Sequence, residues 1–123
     1  MIVDSNLLIY AVRPDDEVVY RWLIAELPIV PAISSLEVLG YHRFKPGERE
    51  SLEELLRTLT IAYPTPETFR VAIGLRQQRR MSIADSLIAA TALEKTEVLA
   101  THNTGDFSWI EGLALFDPLR PRN

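Results

Sequence analysis

With 123 residues, 47% of them hydrophobic, the chain can build one ordinary core and is too short for two domains. No apolar run reaches the length of a bilayer span, no basic segment precedes the opening apolar stretch, and there is no cysteine. This argues against a membrane protein, a signal-bearing secreted protein and a disulfide or thiolate–zinc scaffold, and makes the cytoplasm the expected compartment. The net charge of −4 and pI near 5.2 argue against coating nucleic acid through bulk charge, while leaving room for a local basic surface beside an acidic pocket.

In chain order, Met1-Ile2-Val3 is β-branched and too short for a helix, and reads as a strand buried on both faces. It stops at Asp4-Ser5-Asn6 and turns into apolar Leu7-Leu8-Ile9. That sets a carboxylate at the carboxyl end of a strand, the edge where open α/β sheets bind ligands. Capping of the following helix accounts for the same residues. Pro14-Asp15-Asp16-Glu17 reads as a turn and helix start; Val18, Val19, Trp22, Leu23, Ala25 and Leu27 form the helical face, and Pro28 ends it. Ile29 to Ile33 is a second short strand with its proline at an edge or end. Ser34-Ser35-Leu36-Glu37 opens a helix expected to continue through Tyr41 and Phe44 to Pro46-Gly47. From Glu48 to Leu59 a further helix carries Leu52, Leu55, Leu56 and Leu59 on one side.

Thr60 to Tyr63 reads as a strand stopped by Pro64. Thr65-Pro66-Glu67 then combines an N-cap, a first-position proline and an acid, and starts a helix running to about Arg80. The stretch after Asp85, Ser86 to Leu93, is apolar nearly all round and predicts a central, buried helix. Glu97 to Thr101 is the next strand, followed by Thr101-His102-Asn103-Thr104-Gly105-Asp106-Phe107 and a short helical turn around Trp109. A last strand, Leu113 to Phe116, precedes a proline-broken tail at 118–123. Strands alternating with helices predict a single α/β domain over 1–123, with a mainly parallel sheet covered on both faces.

Asp4, Glu37, Asp85 and Asp106 each stand at a helix start or a strand end. Each has a structural explanation: Ser34-x-x-Glu37 and Ser82-x-x-Asp85 fit a capping box, and Asp106 after Gly105 fits a turn. Parallel topology nevertheless brings the strand ends before Asp4 and Asp106 to one edge, and the helix starts carrying Glu37 and Asp85 can face the same crevice. Four carboxylates brought together repel and raise one another's pKa, a conflict that a divalent cation removes. Oxygen ligands without cysteine select a hard ion, Mg²⁺ or Mn²⁺. The three arginines Arg76, Arg79 and Arg80, and the terminal Arg120 and Arg122, suit phosphate contacts, or equally a solvated helix end.

Met1-Ile-Val-Asp4-Ser-Asn, Ile33-Ser-Ser-Leu-Glu37, Ile83-Ala-Asp85-Ser-Leu and Leu99-Ala-Thr-His-Asn103-Thr-Gly-Asp106-Phe resemble the successive motifs of the PIN-domain ribonucleases, most closely the VapC-type toxins of toxin–antitoxin pairs. The resemblance spans the whole chain. It implies a three-layer α/β/α domain, a Mg²⁺- or Mn²⁺-dependent endoribonuclease acting on tRNA or other structured RNA, a homodimer, and an antitoxin partner. Carried over by motif, Asp4, Glu37, Asp85 and Asp106 are the catalytic, metal-holding acids. Ser5, Asn6, Thr101 and Asn103 orient them or the substrate, Asn103 sharing the place of Asp106 as an alternative, and Arg76, Arg79 and Arg80 are candidates for the RNA backbone. The other reading of the same motifs is a PIN-fold RNA-processing nuclease, or a silent binding module, outside any toxin pair. His102 is expected in the loop rather than as general base, because metal-bound water needs none; His42 is given no role. A receiver-like module is disfavoured, since Asp4 lacks an acidic neighbour and the lysines are Lys45 and Lys95.

Overall fold

A computed structural model describes residues 1–13 and 17–120; the turn expected at Pro14-Asp15-Asp16 and the end of the tail lie outside the described residues. The chain alternates β1 (Ile2–Val3), α1 (Ser5–Ala11), α2 (Glu17–Glu26), β2 (Val30–Pro31), α3 (Ala32–Leu39), α4 (Glu48–Thr58), β3 (Ile61–Ala62), α5 (Pro66–Gln78), α6 (Ile83–Lys95), β4 (Leu99–Ala100) and β5 (Leu115–Phe116). All pairings are parallel: β1 with β4, β4 with β5, and β2 with β3. A parallel bridge from Ile2 to Ile29, with Val3 N donating to the Ile29 carbonyl at 3.0 Å, joins the two sheets in the order β3-β2-β1-β4-β5. Strand order reverses at β1, which puts the ligand-binding crevice of a doubly wound sheet at the carboxyl ends of β1 and β4.

The strands are two residues long, yet each central one serves both layers because successive side chains point to opposite faces. Val3 and Ala100 join Leu7, Leu8, Val19, Leu23 and the leucines of α4 on one side. Ile2 and Leu99 join Leu75, Ile88, Ala89 and Phe107 on the other. This is the expected three-layer α/β/α arrangement. From Ser86 to Ala92, α6 is buried at every position, as its all-round apolar sequence predicts. Thr65 caps α5 through the Thr68 N–H, with Pro66 at the first position. No described helix is long and apolar enough to cross a membrane.

Two expectations need correction. Helix α3 begins at Ala32, not at the serines, because Pro31 ends the strand and itself stands at the N-cap. No capping box forms there, and Glu37 lies well inside the helix. The same helix ends at Leu39 with Gly40 as its C-cap, where a Cβ would stand 2.7 Å from the Leu36 carbonyl oxygen; Tyr41 and Phe44 are loop residues. The short helical turn expected around Trp109 is present, a 3₁₀ turn at Thr104–Asp106 that continues as turn through Trp109. On α2, Val19 and Leu23 are buried whereas Val18 is exposed, as is Leu27 just past its end.

Candidate active site

Asp4 follows β1 and Thr101 follows β4, its parallel neighbour, so the two meet across the crevice. Asp4 Oδ2 accepts the Thr101 hydroxyl at 2.7 Å, and Oδ1 accepts the Ser5 N–H at 2.8 Å. The second bond caps α1, so capping and display of the carboxylate coexist in one residue. Thr101 Oγ1 also accepts the Asn103 N–H at 3.0 Å, which leaves its own proton for Asp4. Ser5 Oγ donates to Glu37 Oε1 at 2.6 Å and ties the acid of α3 to the end of β1. Asn6 is half-buried beside them, and among the described residues no hydrogen bond ties its amide into this network.

Asp85 sits in the first turn of α6, its N–H donating to the Ser82 hydroxyl at 3.0 Å. A helix N-terminus favours a negative charge. Burial, together with the charges of Asp4, Asp106 and Glu37, nevertheless pushes the Asp85 carboxyl up to about 6. Burial likewise raises Asp4; the Thr101 and Ser5 hydrogen bonds pull against it, and the charges of Glu37 and Asp106 add to it. Asp106, exposed at the end of the 3₁₀ turn, is thus felt by both buried acids.

The structure therefore brings the four predicted acids into electrostatic reach of one another. They are not closed into a finished cage: among the described residues, no three His, Cys, Asp or Glu side chains converge as a metal site. Nor do any of the four form a salt bridge with Lys or Arg among those residues. An all-oxygen donor set with uncompensated mutual repulsion fits a hard divalent cation.

The arginines divide. Arg79 and Arg80 line a polar cavity with Asp85 and Asp106. Arg76 borders an apolar hollow with Phe69, Ile73 and Ile83, and its Nε donates to the Met81 carbonyl at 3.2 Å. His42 is exposed in the loop after α3. His102 turns away from the acids and meets Asp117 Oδ2 through Nδ1 at 3.0 Å. Sequence reasoning missed Asp117, a buried carboxylate at the end of β5 that also accepts the Leu119 N–H at 2.9 Å. Its signal was present: Leu115-Phe116-Asp117 repeats the opening pattern of an apolar run stopped by an aspartate. Trp109, on the wall of the polar cavity, was also given no role.

No curated protein matches the chain in sequence. Among solved structures, a toxin–antitoxin complex from Klebsiella pneumoniae is similar, with a TM-score of 0.76 at 25% identity over 98% of each chain. FitAcB from Neisseria gonorrhoeae gives a TM-score of 0.76 at 25% identity over 95% of this chain and 96% of that one. VapBC2 from Rickettsia felis, bound to a DNA fragment from their promoter, gives 0.77 at 21% identity over 94% and 96%. The family model described as PIN domain matches residues 1–112, a span that runs through all four acid-bearing segments, and the chain belongs to the PIN domain family.

Proposed function

We propose that the protein is a divalent-metal-dependent endoribonuclease and the toxin of a toxin–antitoxin pair. One observation supports this reading: four carboxylates, after β1, on α3, on α6 and in the turn after β4, stand within electrostatic reach of one another, and with burial they raise the Asp85 carboxyl to about 6. Asp4 and Asp85 would hold the ion, Mg²⁺ or Mn²⁺, with Glu37 and Asp106 completing its surroundings. Bound there, a divalent cation supplies charge neutralisation and Lewis acidity toward water and phosphate oxygens. Thr101 and the Ser5 N–H keep the Asp4 carboxylate in one orientation, so little reorganisation is left when substrate arrives. The Ser5 hydroxyl does the same for Glu37. The N-terminal turn of α6 favours the phosphodiester beside Asp85.

The similar solved structures from Klebsiella and Rickettsia are toxin–antitoxin assemblies, which supports an antitoxin partner here. A groove of about 450 Å³ between α1, α2 and α4, lined by Ala11, Tyr20, Ile24 and Leu55 together with Arg13, Glu17 and Glu54, suits a partner helix carrying both apolar and charged residues. The exposed Phe69, Ile73 and Ile83 on α5 and α6 form an apolar surface suited to a second copy of the chain.

The test compares wild type with Asp85→Asn on total tRNA, with Mg²⁺ or Mn²⁺ and with excess EDTA. Cleavage by wild type alone, lost with chelator, is the expected result. Equal cleavage by both proteins, or by neither when both are folded and the metal is supplied, overturns the reading.

A further inference from the structure

The polar cavity beside Asp85 and Asp106, about 200 Å³, has Arg79, Arg80, Met81 and Trp109 as its other main walls. Acids that hold a cation have no use for an aromatic ring, yet one is fixed here. Trp109 Nε1 donates to the Asp106 carbonyl at 3.0 Å, which ties the ring to the acid-bearing turn. Its apolar body packs against the core around Ile2, Leu99 and Phe107, leaving the residue half-buried. The Arg79 guanidinium lies over the ring, 5.5 Å from its centroid. A guanidinium drawn to the ring by its quadrupole spends none of its N–H donors on that contact and can offer them to a phosphate. The loop bearing these groups is braced from behind by the Arg76 bond to the Met81 carbonyl.

The cavity thus combines an ordered aromatic ring, an adjacent thioether and two guanidiniums, next to acids that would otherwise repel a polyanion. Stacking surface and phosphate-pairing charge together are the equipment of a single-strand nucleotide site. We infer that this cavity seats one unpaired nucleotide of the RNA substrate, its base taking the Trp109 face over which Arg79 now lies, beside Met81, and its phosphate paired by Arg80 and the displaced Arg79. The inference rests on the ribonuclease reading and adds the requirement that the nucleotide beside the cleavage point be unpaired. A base locked in a duplex cannot offer its face to the ring, so the site selects loops and single strands.

The test is equilibrium binding of three RNA 12-mers of equal phosphate count: oligoadenylate, oligouridylate and an abasic oligomer, measured by fluorescence anisotropy in EDTA. Because all three carry the same backbone charge, repulsion by the acids cancels from the comparison. Wild type should bind the two base-bearing oligomers about 10- to 100-fold more tightly than the abasic one. Trp109→Leu, which keeps apolar packing but removes the π face, should collapse that difference. Arg79→Ala should weaken all three alike and flatten the dependence of affinity on salt. A folded Trp109→Leu that keeps the base-against-abasic difference overturns the inference, as does a wild type that shows none. If wild type still cleaves tRNA in that case, only the nucleotide site falls; loss of both cleavage and binding removes the nuclease reading as well.

Discussion

Replacing Asp85 by Asn should stabilise the metal-free protein at neutral pH while removing its proposed activity. The Asp85 carboxyl moves from an unfolded value of 3.8 to about 6 in the fold, through burial and the charges of Asp4, Asp106 and Glu37. At 1.36 kcal/mol per pH unit, the shift corresponds to an upper bound of roughly 3 kcal/mol against the ionised side chain. Asp85 is only half-buried, and solvent screening reduces this to about 1–1.5 kcal/mol. Asparagine keeps the shape and removes the charge; the backbone N–H bond to the Ser82 hydroxyl is kept, and the weaker pull of that hydroxyl on the carboxylate is the smallest of the contributions lost. For a chain of this size the gain is about 3–6 °C in melting temperature. A folded pKa above the unfolded one means that the stability attached to Asp85 is fully present below 3.8 and lost as pH rises through 6. Asp4, also raised, acts with the same sign. Thermal melts in EDTA should therefore show the variant ahead at pH 7.5 and the gap closing between about pH 6 and 4. A variant less stable than wild type at pH 7.5 in chelator would refute the argument that these acids repel one another in the fold.

Three further outcomes follow from the same geometry. Thr101→Val removes the hydroxyl that bonds Asp4 Oδ2 and should cost about 1–3 kcal/mol in urea unfolding, with a parallel fall in RNA cleavage. Thr101→Ser should recover most of both. Affinity for Mg²⁺, read as the metal-induced rise in melting temperature, should weaken as pH falls below about 6, because protons then compete for Asp85; a rise independent of pH between 5 and 8 would exclude Asp85 as a ligand. Ile73→Asp lies on the exposed face of α5, so folding should change by less than about 0.5 kcal/mol. Light scattering should nonetheless report a smaller particle than wild type, and an unchanged mass would remove α5 from the dimer surface.

The elements whose identity depends on local pattern were legible in the sequence. The leucine face of α4, the capped and proline-led start of α5 and the all-apolar α6 each follow from spacing that one segment carries by itself. The electrostatic nearness of the acids was legible in part, Asp4 and Asp106 because strand ends in a parallel sheet share an edge. What the sequence hid was set by partners distant in the chain. Glu37 looks like the closing member of a capping box with Ser34; the cap instead falls three residues earlier, at Pro31, and Glu37 meets Ser5. Leu36 and Val18 fit helical apolar faces, yet both are exposed, because periodicity does not say whether an apolar face meets the core or an outside surface. The pairing of His102 with Asp117 depends on the register of β4 with β5, which no local motif encodes.

The two-residue strands and the stability penalty at the acids belong to one solution. A carboxylate that must stay ionised near others needs a rigid mount, and β1 and β4 provide it with side chains wholly buried in both layers. Asp4 and Thr101 are the first positions past β1 and β4, still held by their backbone N–H groups to the Ala100 and Phe116 carbonyls, each at 2.9 Å. There each can spend its side chain on the crevice rather than on the core. The Thr101 and Ser5 bonds then lower the cost of keeping Asp4 charged without cancelling it, since a carboxylate neutralised by a fixed arginine would have little left to offer a cation. The arginines stand to one side, at Arg79 and Arg80, where they can meet a phosphate without quenching the acids. On this reading the residual repulsion is the property that binds the metal, and a variant engineered for stability at Asp4 or Asp85 gives up that property in the same step.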